Sequence, residues 1–109
     1  MQHVFDGRFH RVVRVTGPTH NLLALELGDD PAAEPVVEEL PVSPGERRRL
    51  DPGEVLRCVQ RGVAEANAVH GTAFGVRTIQ YLPSDSPPAE VYREIARRII
   101  AQQHVGVLT

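Results

Sequence analysis

The stretch that decides the fold is residues 51–71, DPGEVLRCVQRGVAEANAVHG. Its start is typical of a helix N-terminus: Asp51 can accept a hydrogen bond from the first turn, Pro52 suits the first helical position, and Glu54 follows three residues after the cap. Gly71 is typical of a helix C-cap, because glycine readily adopts the left-handed conformation found there. Together these signals predict one helix over residues 51–70.

The apolar residues of this helix recur at helical spacing and form one stripe. The stripe and its flanks consist of Val55, Leu56, Val59, Val63, Ala66 and Val69. Gly62 lies on the stripe, where glycine costs up to about 1 kcal/mol relative to alanine. We expect the missing side chain to allow a closer approach of this helix to a sheet.

The residues before the helix carry strand signals. Residues 8–16 and 22–27 alternate between polar and apolar positions and are separated by turn-forming residues at 17–21. This pattern predicts an antiparallel hairpin. A short third strand within residues 36–42 is confined to a sheet edge by the prolines that surround it.

The alternation of residues 8–16 predicts which side of the first strand is buried. The odd positions form the predicted buried face and comprise Phe9, Val13 and Val15. The even positions form the predicted open face, with Val12 as the apolar exception among Arg8, His10 and Arg14.

The residues after the first helix predict one more strand and one more helix. Residues 73–82 are rich in strand-forming side chains and end at a proline-rich loop. Ser86 and Pro87 are typical of an N-cap and a first helical position. The second helix is therefore predicted to run from there to about residue 103.

The elements combine into a single α+β domain over residues 1–109. The predicted order is β-β-β-α-β-α, in a two-layer sandwich with both helices on one face of a mostly antiparallel sheet. The other face of the sheet is expected to be open to water or to a partner.

Composition excludes several classes of function. The chain has 109 residues, a formal net charge of −2 and one cysteine. All 12 basic side chains are arginine, which excludes a Schiff-base lysine and a phosphate-loop lysine. A single cysteine excludes an internal disulfide and a multi-cysteine zinc site. No apolar run is long enough to span a membrane, so we expect a cytoplasmic protein.

The helix stretch also resembles a known family. Residues 52–66, PGEVLRCVQRGVAEA, are similar to the first helix of domain IV of translation elongation factor G, and Gly62 falls on that family's glycine. The resemblance extends over residues 52–101 and is weak before them. It implies the ribosomal protein S5 domain 2-like fold, with a left-handed β-α-β crossover, and contact with RNA or the ribosome.

The chain also departs from that family. The 109 residues contain no GTPase domain, so the resemblance does not imply nucleotide hydrolysis. The loop at residues 82–86 lacks the histidine that the family carries before its acidic-serine turn, so the resemblance does not imply translocation either.

Arginine groups are the main candidates for a binding site, because the guanidinium matches the geometry of phosphate. The candidate RNA or anion contacts are Arg8, His10, Arg14, Arg47, Arg48 and Arg49. The histidines lack metal-ligand spacing. Cys58 lies beside the apolar stripe and is expected to be a small buried thiol. Residues 84–86 are explained by turn and cap chemistry. We therefore predict no catalytic residue, metal or cofactor.

Three functions stay open at this point. The first is contact with RNA or the ribosome. The second is a protein-interaction or self-associating module, such as a homodimer, that uses Val12, Leu22 and Ala24 on the open face of the sheet. The third is a small enzyme, which ranks lowest because no glycine-rich phosphate loop precedes the first helix.

Overall fold

The computed structural model describes residues 2–108 of the chain, with side chains described for residues 2–104. It contains five strands and two helices. They are β1 (Gln2–Phe5), β2 (His10–Thr16), β3 (Thr19–Gly28), β4 (Val36–Glu39), α1 (Pro52–His70), β5 (Gly75–Tyr81) and α2 (Val91–Leu108).

The five strands form one sheet in the order β1-β2-β3-β5-β4. All neighbouring pairs are antiparallel except β4 and β5, which run parallel. The predicted α+β class and its element order are confirmed, and one additional strand, β1, precedes them. The edge position predicted for the third strand is also confirmed, since β4 ends the sheet.

The core lies between the sheet and the two helices. Each layer contributes fully buried aliphatic side chains to one continuous cluster. The largest of these are Leu23, Leu25, Ile79, Val55, Val59, Ile95, Ile99 and Ile100. Both helices therefore cover the same face of the sheet, as predicted.

Helix α1 has the ends that its sequence predicts. The Asp51 carboxylate accepts a hydrogen bond of 3.0 Å from the Glu54 backbone N–H. Pro52 occupies the first turn, where its missing N–H leaves no bond unmade. Gly71 adopts the left-handed conformation, with φ of 65°, and its N–H donates to the Asn67 carbonyl.

Gly62 has a different role from the expected one. A Cβ atom at this position would lie 2.3 Å from the carbonyl oxygen of Arg93 and 3.1 Å from the Cβ of Ala96, both in α2. The missing side chain thus lets α1 approach α2, not the sheet. The Arg93 guanidinium then reaches Glu65 through two hydrogen bonds of 2.6 and 2.7 Å.

The two sides of β2 are reversed relative to the prediction. His10 and Val12 are buried beneath the helices, while Val13 and Val15 are exposed. The register with β3 explains the reversal, because Val12 lies opposite Leu23. Directly opposite residues share a face, so the leucines that α1 and α2 cover determine which side of β2 is buried.

Ser86 does not cap α2, which begins at Val91. The residues from 82 to 90 form an irregular loop instead, and Ser86 is buried in it. Its backbone N–H donates to the His20 carbonyl over 3.2 Å. The serine is therefore committed to β3 and not to the start of the helix.

Candidate functional site

The side of the sheet that faces away from both helices, here called the open face, carries an apolar patch. Strand alternation places Val4, Val13, Val15 and Leu22 on this side, on three neighbouring strands. Val4 and Val15 are 52% and 69% exposed. We call these four residues the valine patch. Exposed apolar side chains that cluster in this way are typical of contact surfaces.

An aromatic side chain next to the patch is covered by arginines. Phe9 is only 5% exposed although it lies outside the core cluster. The guanidinium carbons of Arg8 and Arg11 lie 4.9 and 5.6 Å from the centre of its ring. These are cation–π distances, so the two arginines replace water as the neighbours of the ring.

Acidic side chains hold both of these arginines. Nε of Arg8 donates to Oε2 of Glu26 over 2.8 Å, and Arg11 forms a close ion pair with Asp6. The backbone N–H groups of Phe9 and Arg8 also donate to Asp6, and these bonds lower its pKa to about 2. The charges around Phe9 are thus neutralised within the chain.

The predicted group of Arg8, His10 and Arg14 does not form one surface. Arg8 lies on the open face with Glu26. His10 is buried on the side that the helices cover, and alternation places Arg14 on that same side. Val12, predicted to face outward, is also buried there.

The loop that holds Arg47, Arg48 and Arg49 is exposed, as predicted. Arg48 is bound to Glu39 of β4, with Nη1 donating to Oε1 over 2.7 Å. This bond is the main cause of the lowered pKa of Glu39. Among residues 2–104, Arg47 and Arg49 make no ion pair, so two free cations remain in this loop.

The structure brings together two histidines that the sequence does not connect. Nε2 of His3 lies 3.1 Å from Nδ1 of His10, and the ring of Phe5 stacks on His10 at 4.3 Å. Burial lowers the pKa of both histidines. Strand β1, which supplies His3 and has only four residues, was not predicted from the sequence, although Asp6-Gly7 after it is a hairpin turn signal that could have revealed the pair.

These histidines do not complete a metal centre. In the part of the chain that the structure describes, no three side chains of histidine, cysteine, aspartate or glutamate are grouped so that they could hold a metal ion.

A buried polar cluster joins the loop at 82–90 to β3. Asp85 is fully buried, and its Oδ2 accepts a 2.7 Å hydrogen bond from the Leu22 backbone N–H. Its other oxygen, Oδ1, lies 3.4 Å from Nε2 of His20. Burial raises the pKa of this carboxyl group. Nδ2 of Asn21 donates to the Ser86 carbonyl over 2.7 Å.

The cluster supplies hydrogen-bond partners to the part of β3 that lies beyond the end of β5. The pairing of β3 with β5 begins at Leu23 and Tyr81, so the backbone of His20 and Leu22 has no strand beside it on that side. Asp85 and Ser86 supply the missing hydrogen-bond partners. The acidic-serine segment thus fastens the loop to the hairpin, a role that turn chemistry alone does not predict.

Cys58 is half-buried and is held as a thiol. Its Sγ lies 3.7 Å from Oε2 of Glu90. Burial and the negative charge of Glu90 both raise its pKa. Since the thiolate is the reactive form, this environment makes Cys58 a poor nucleophile.

An apolar groove lies between α1 and the segment at residues 31–35. It has a volume of about 480 Å³, and Pro35, Val63 and Phe74 contribute to its walls. Asn67 also contributes to its walls, and its Nδ2 donates to the Phe74 carbonyl over 2.9 Å. The groove contains no charged side chain.

Comparison of the chain with models of known protein families, with curated proteins and with solved structures gives no match. The resemblance to domain IV of elongation factor G, including its left-handed crossover, therefore stays a prediction. Neither α1 nor α2, within the described residues, has the length and apolar character that a membrane crossing requires.

Proposed function

We propose that this chain is a non-catalytic binding module that contacts another protein through the valine patch. The observation that carries the proposal is that exposed valines lie beside charged side chains that are already paired with one another. A partner can cover the valines while these partly exposed ion pairs remain at the rim of the contact, so contact buries apolar area without burying an unpaired charge.

The covered state of Phe9 supports a protein partner over RNA at this face. Sheets that read RNA stack bases on exposed aromatic rings. Here the guanidiniums of Arg8 and Arg11 already lie against the ring of Phe9, and both are held by carboxylates. The open face therefore offers a base neither a free ring nor a free cation around Phe9.

Site-specific photo-crosslinking tests the proposal. A photoreactive residue at position 15 should capture one protein in cells that make this chain, while the same residue at Val69 should not. The two valines are matched, being 69% and 70% exposed, but Val69 lies on α1. The captured protein is then purified, and we expect Val15→Glu to abolish its binding while Val69→Glu leaves binding unchanged. Equal capture at both positions would refute the proposal.

Contact with RNA through the loop at residues 47–49 is a second candidate. Its support is the two exposed cations Arg47 and Arg49, which form no ion pair within residues 2–104, together with the resemblance to a family that acts on the ribosome. A structured RNA hairpin, titrated at moderate salt, should then shift the amide signals of this loop. Shifts should weaken in a variant with both arginines changed to glutamine. Unchanged spectra would remove this candidate.

A further inference from the structure

The two edges of the sheet differ in how they are protected. The outer strand β4 carries Glu38 and Glu39 and is flanked by Pro35 and Pro41. Charges and prolines of this kind prevent another strand from adding to an edge. By contrast, β1 reads Gln-His-Val-Phe and contains neither a charged residue nor a proline.

Three of the four β1 residues are exposed, namely Gln2, Val4 and Phe5, and the last two are apolar. Val4 and Phe5 are both more than half exposed. In the part of the chain that the structure describes, no strand lies on the outer side of β1. An unprotected edge with apolar side chains is a template for pairing with another strand.

We propose that the chain forms a twofold-symmetric dimer in which β1 pairs antiparallel with β1 of a second copy. The two sheets then join into one sheet of ten strands. The dimer shares Val4 with the valine patch, but it depends on a different observation, the unpaired backbone edge of β1 in the part of the chain that the structure describes.

The backbone of β1 determines which residues can bond outward. The Asp6 N–H donates to the Phe9 carbonyl, which makes these two a hydrogen-bonded pair of the β1–β2 ladder. Such pairs alternate along antiparallel strands, so Val4 also bonds toward β2. His3 and Phe5 then direct their N–H and C=O groups away from β2, toward the free side.

These groups define one register for the dimer. When His3 lies opposite Phe5 of the second copy, each such pair exchanges two hydrogen bonds, and symmetry generates the pair twice. Val4 then lies opposite Val4 of the second copy, in a non-hydrogen-bonded position where side chains are closest. Both pairings also keep side chains on matching faces, since His3 and Phe5 share one face of the sheet and Val4 occupies the other.

Side-chain chemistry favours a second copy as the occupant. A strand without charge does not repel its own copy, whereas two copies of β4 would oppose glutamates across the joint. The pairing also places the valine patches of the two copies side by side on one continuous face. An extended peptide from another protein could use the same edge but would not bring Val4 of two chains together.

A cysteine cross-link tests the register. In a Cys58→Ser background, Val4→Cys should form a covalent dimer under mild oxidation. The Cα separation of a non-hydrogen-bonded pair, about 4.5 Å, lies within the range of disulfides. Val36→Cys on β4 is the matched control, since Val36 is 60% exposed at the other edge. Equal cross-linking at the two positions would overturn the proposal.

Sedimentation of the unmodified chain supplies a second test that needs no cysteine. We expect its mass to rise from monomer to dimer as the concentration increases. Val4→Arg places like charges opposite each other and should shift the transition to at least tenfold higher concentration, while Val36→Arg should not. A native chain that stays monomeric throughout, or a dimer that Val4→Arg leaves unchanged, would refute the dimer. Neither outcome affects the photo-crosslinking at position 15.

Discussion

The two faces of the same five strands differ in chemistry. The helix-facing side is filled by leucine, isoleucine and valine from every layer and excludes water almost completely. The open face carries only a few exposed apolar side chains, and ion pairs border them. The difference shows where stability resides, since side chains on the open face have no second layer to pack against. We therefore expect substitutions on the open face to cost less stability than substitutions in the core.

The strongest test of this difference uses two leucines of β3. Leu25 is fully buried on the helix-facing side, whereas Leu22 lies on the open face. We expect Leu25→Ala to lower the free energy of unfolding by about 3–4 kcal/mol, because it leaves a cavity in the core. Leu22→Ala should cost below about 1 kcal/mol. Urea unfolding of both variants measures the contrast, and equal losses would show that the two faces are not different.

The next test concerns the helix layer. Gly62→Ala would place a methyl group 2.3 Å from the Arg93 carbonyl oxygen, so backbone must move. We expect a loss of about 3 kcal/mol, even though alanine favours the helix itself. Gly53→Ala is the comparison in the same helix, and we expect a smaller loss there, since its Cβ would meet only side-chain atoms, the nearest being the capping Oδ2 of Asp51 at 3.1 Å. A Gly62→Ala variant as stable as the native chain would contradict the close helix contact.

The buried polar cluster is an exception within the helix-facing layer, and Asp85 tests it. Asp85→Ala leaves the Leu22 N–H without an acceptor and should cost about 2 kcal/mol. Asp85→Asn keeps an acceptor oxygen and removes a buried charge, so we expect it to stay within about 1 kcal/mol of the native chain.

The pH dependence of stability checks the same residue. The raised pKa of Asp85 means that its protonated form favours the folded state. Its contribution is complete below the unfolded value of about 3.9 and is lost as pH rises through the folded value. Asp85→Asn should remove this component from a plot of unfolding free energy against pH. If the substitution leaves the plot unchanged, folding does not raise the pKa of Asp85.

The smallest expected effect is at the histidine pair. The pKa of His3 and of His10 is lowered, so their neutral forms favour the folded state. This contribution is present above about pH 6.5 and is lost as pH falls through the folded values. We expect the amide protons of β1 to exchange faster at pH 5 than at pH 7, after correction for the intrinsic exchange rate. His3→Phe should reduce that difference, and an equal difference in both chains would contradict the pairing.

The sequence was sufficient for elements whose signals are local. The caps of α1 depend on residues within one turn of its ends, so Asp51, Pro52 and Gly71 predict them correctly. The face of β2 could not be predicted, because Val12 and Val13 are adjacent valines and only the pairing with β3 decides between them. The prediction that Ser86 caps the second helix was wrong for a similar reason, since its hydrogen-bond partner His20 is distant in the sequence.

The candidate site was harder to predict than the fold, because the partners of its side chains are set by tertiary contacts. The arginines at positions 47–49 were correctly placed in an exposed loop, but the sequence does not show that Arg48 is neutralised by Glu39. Nor does it show that Phe9, an apparent core residue, is shielded by Arg8 and Arg11 instead. Charge pairing across strands follows from register, which a single sequence defines poorly.

The hydrogen bond between Asp85 and the Leu22 amide offers a way to detect binding at the valine patch. The side chain of Leu22 belongs to the valine patch, while its backbone N–H donates to Asp85 in the loop that leads into α2. We expect a molecule that binds the valine patch to change the solvent access of this hydrogen bond, so the exchange rate of the Leu22 amide proton would report binding.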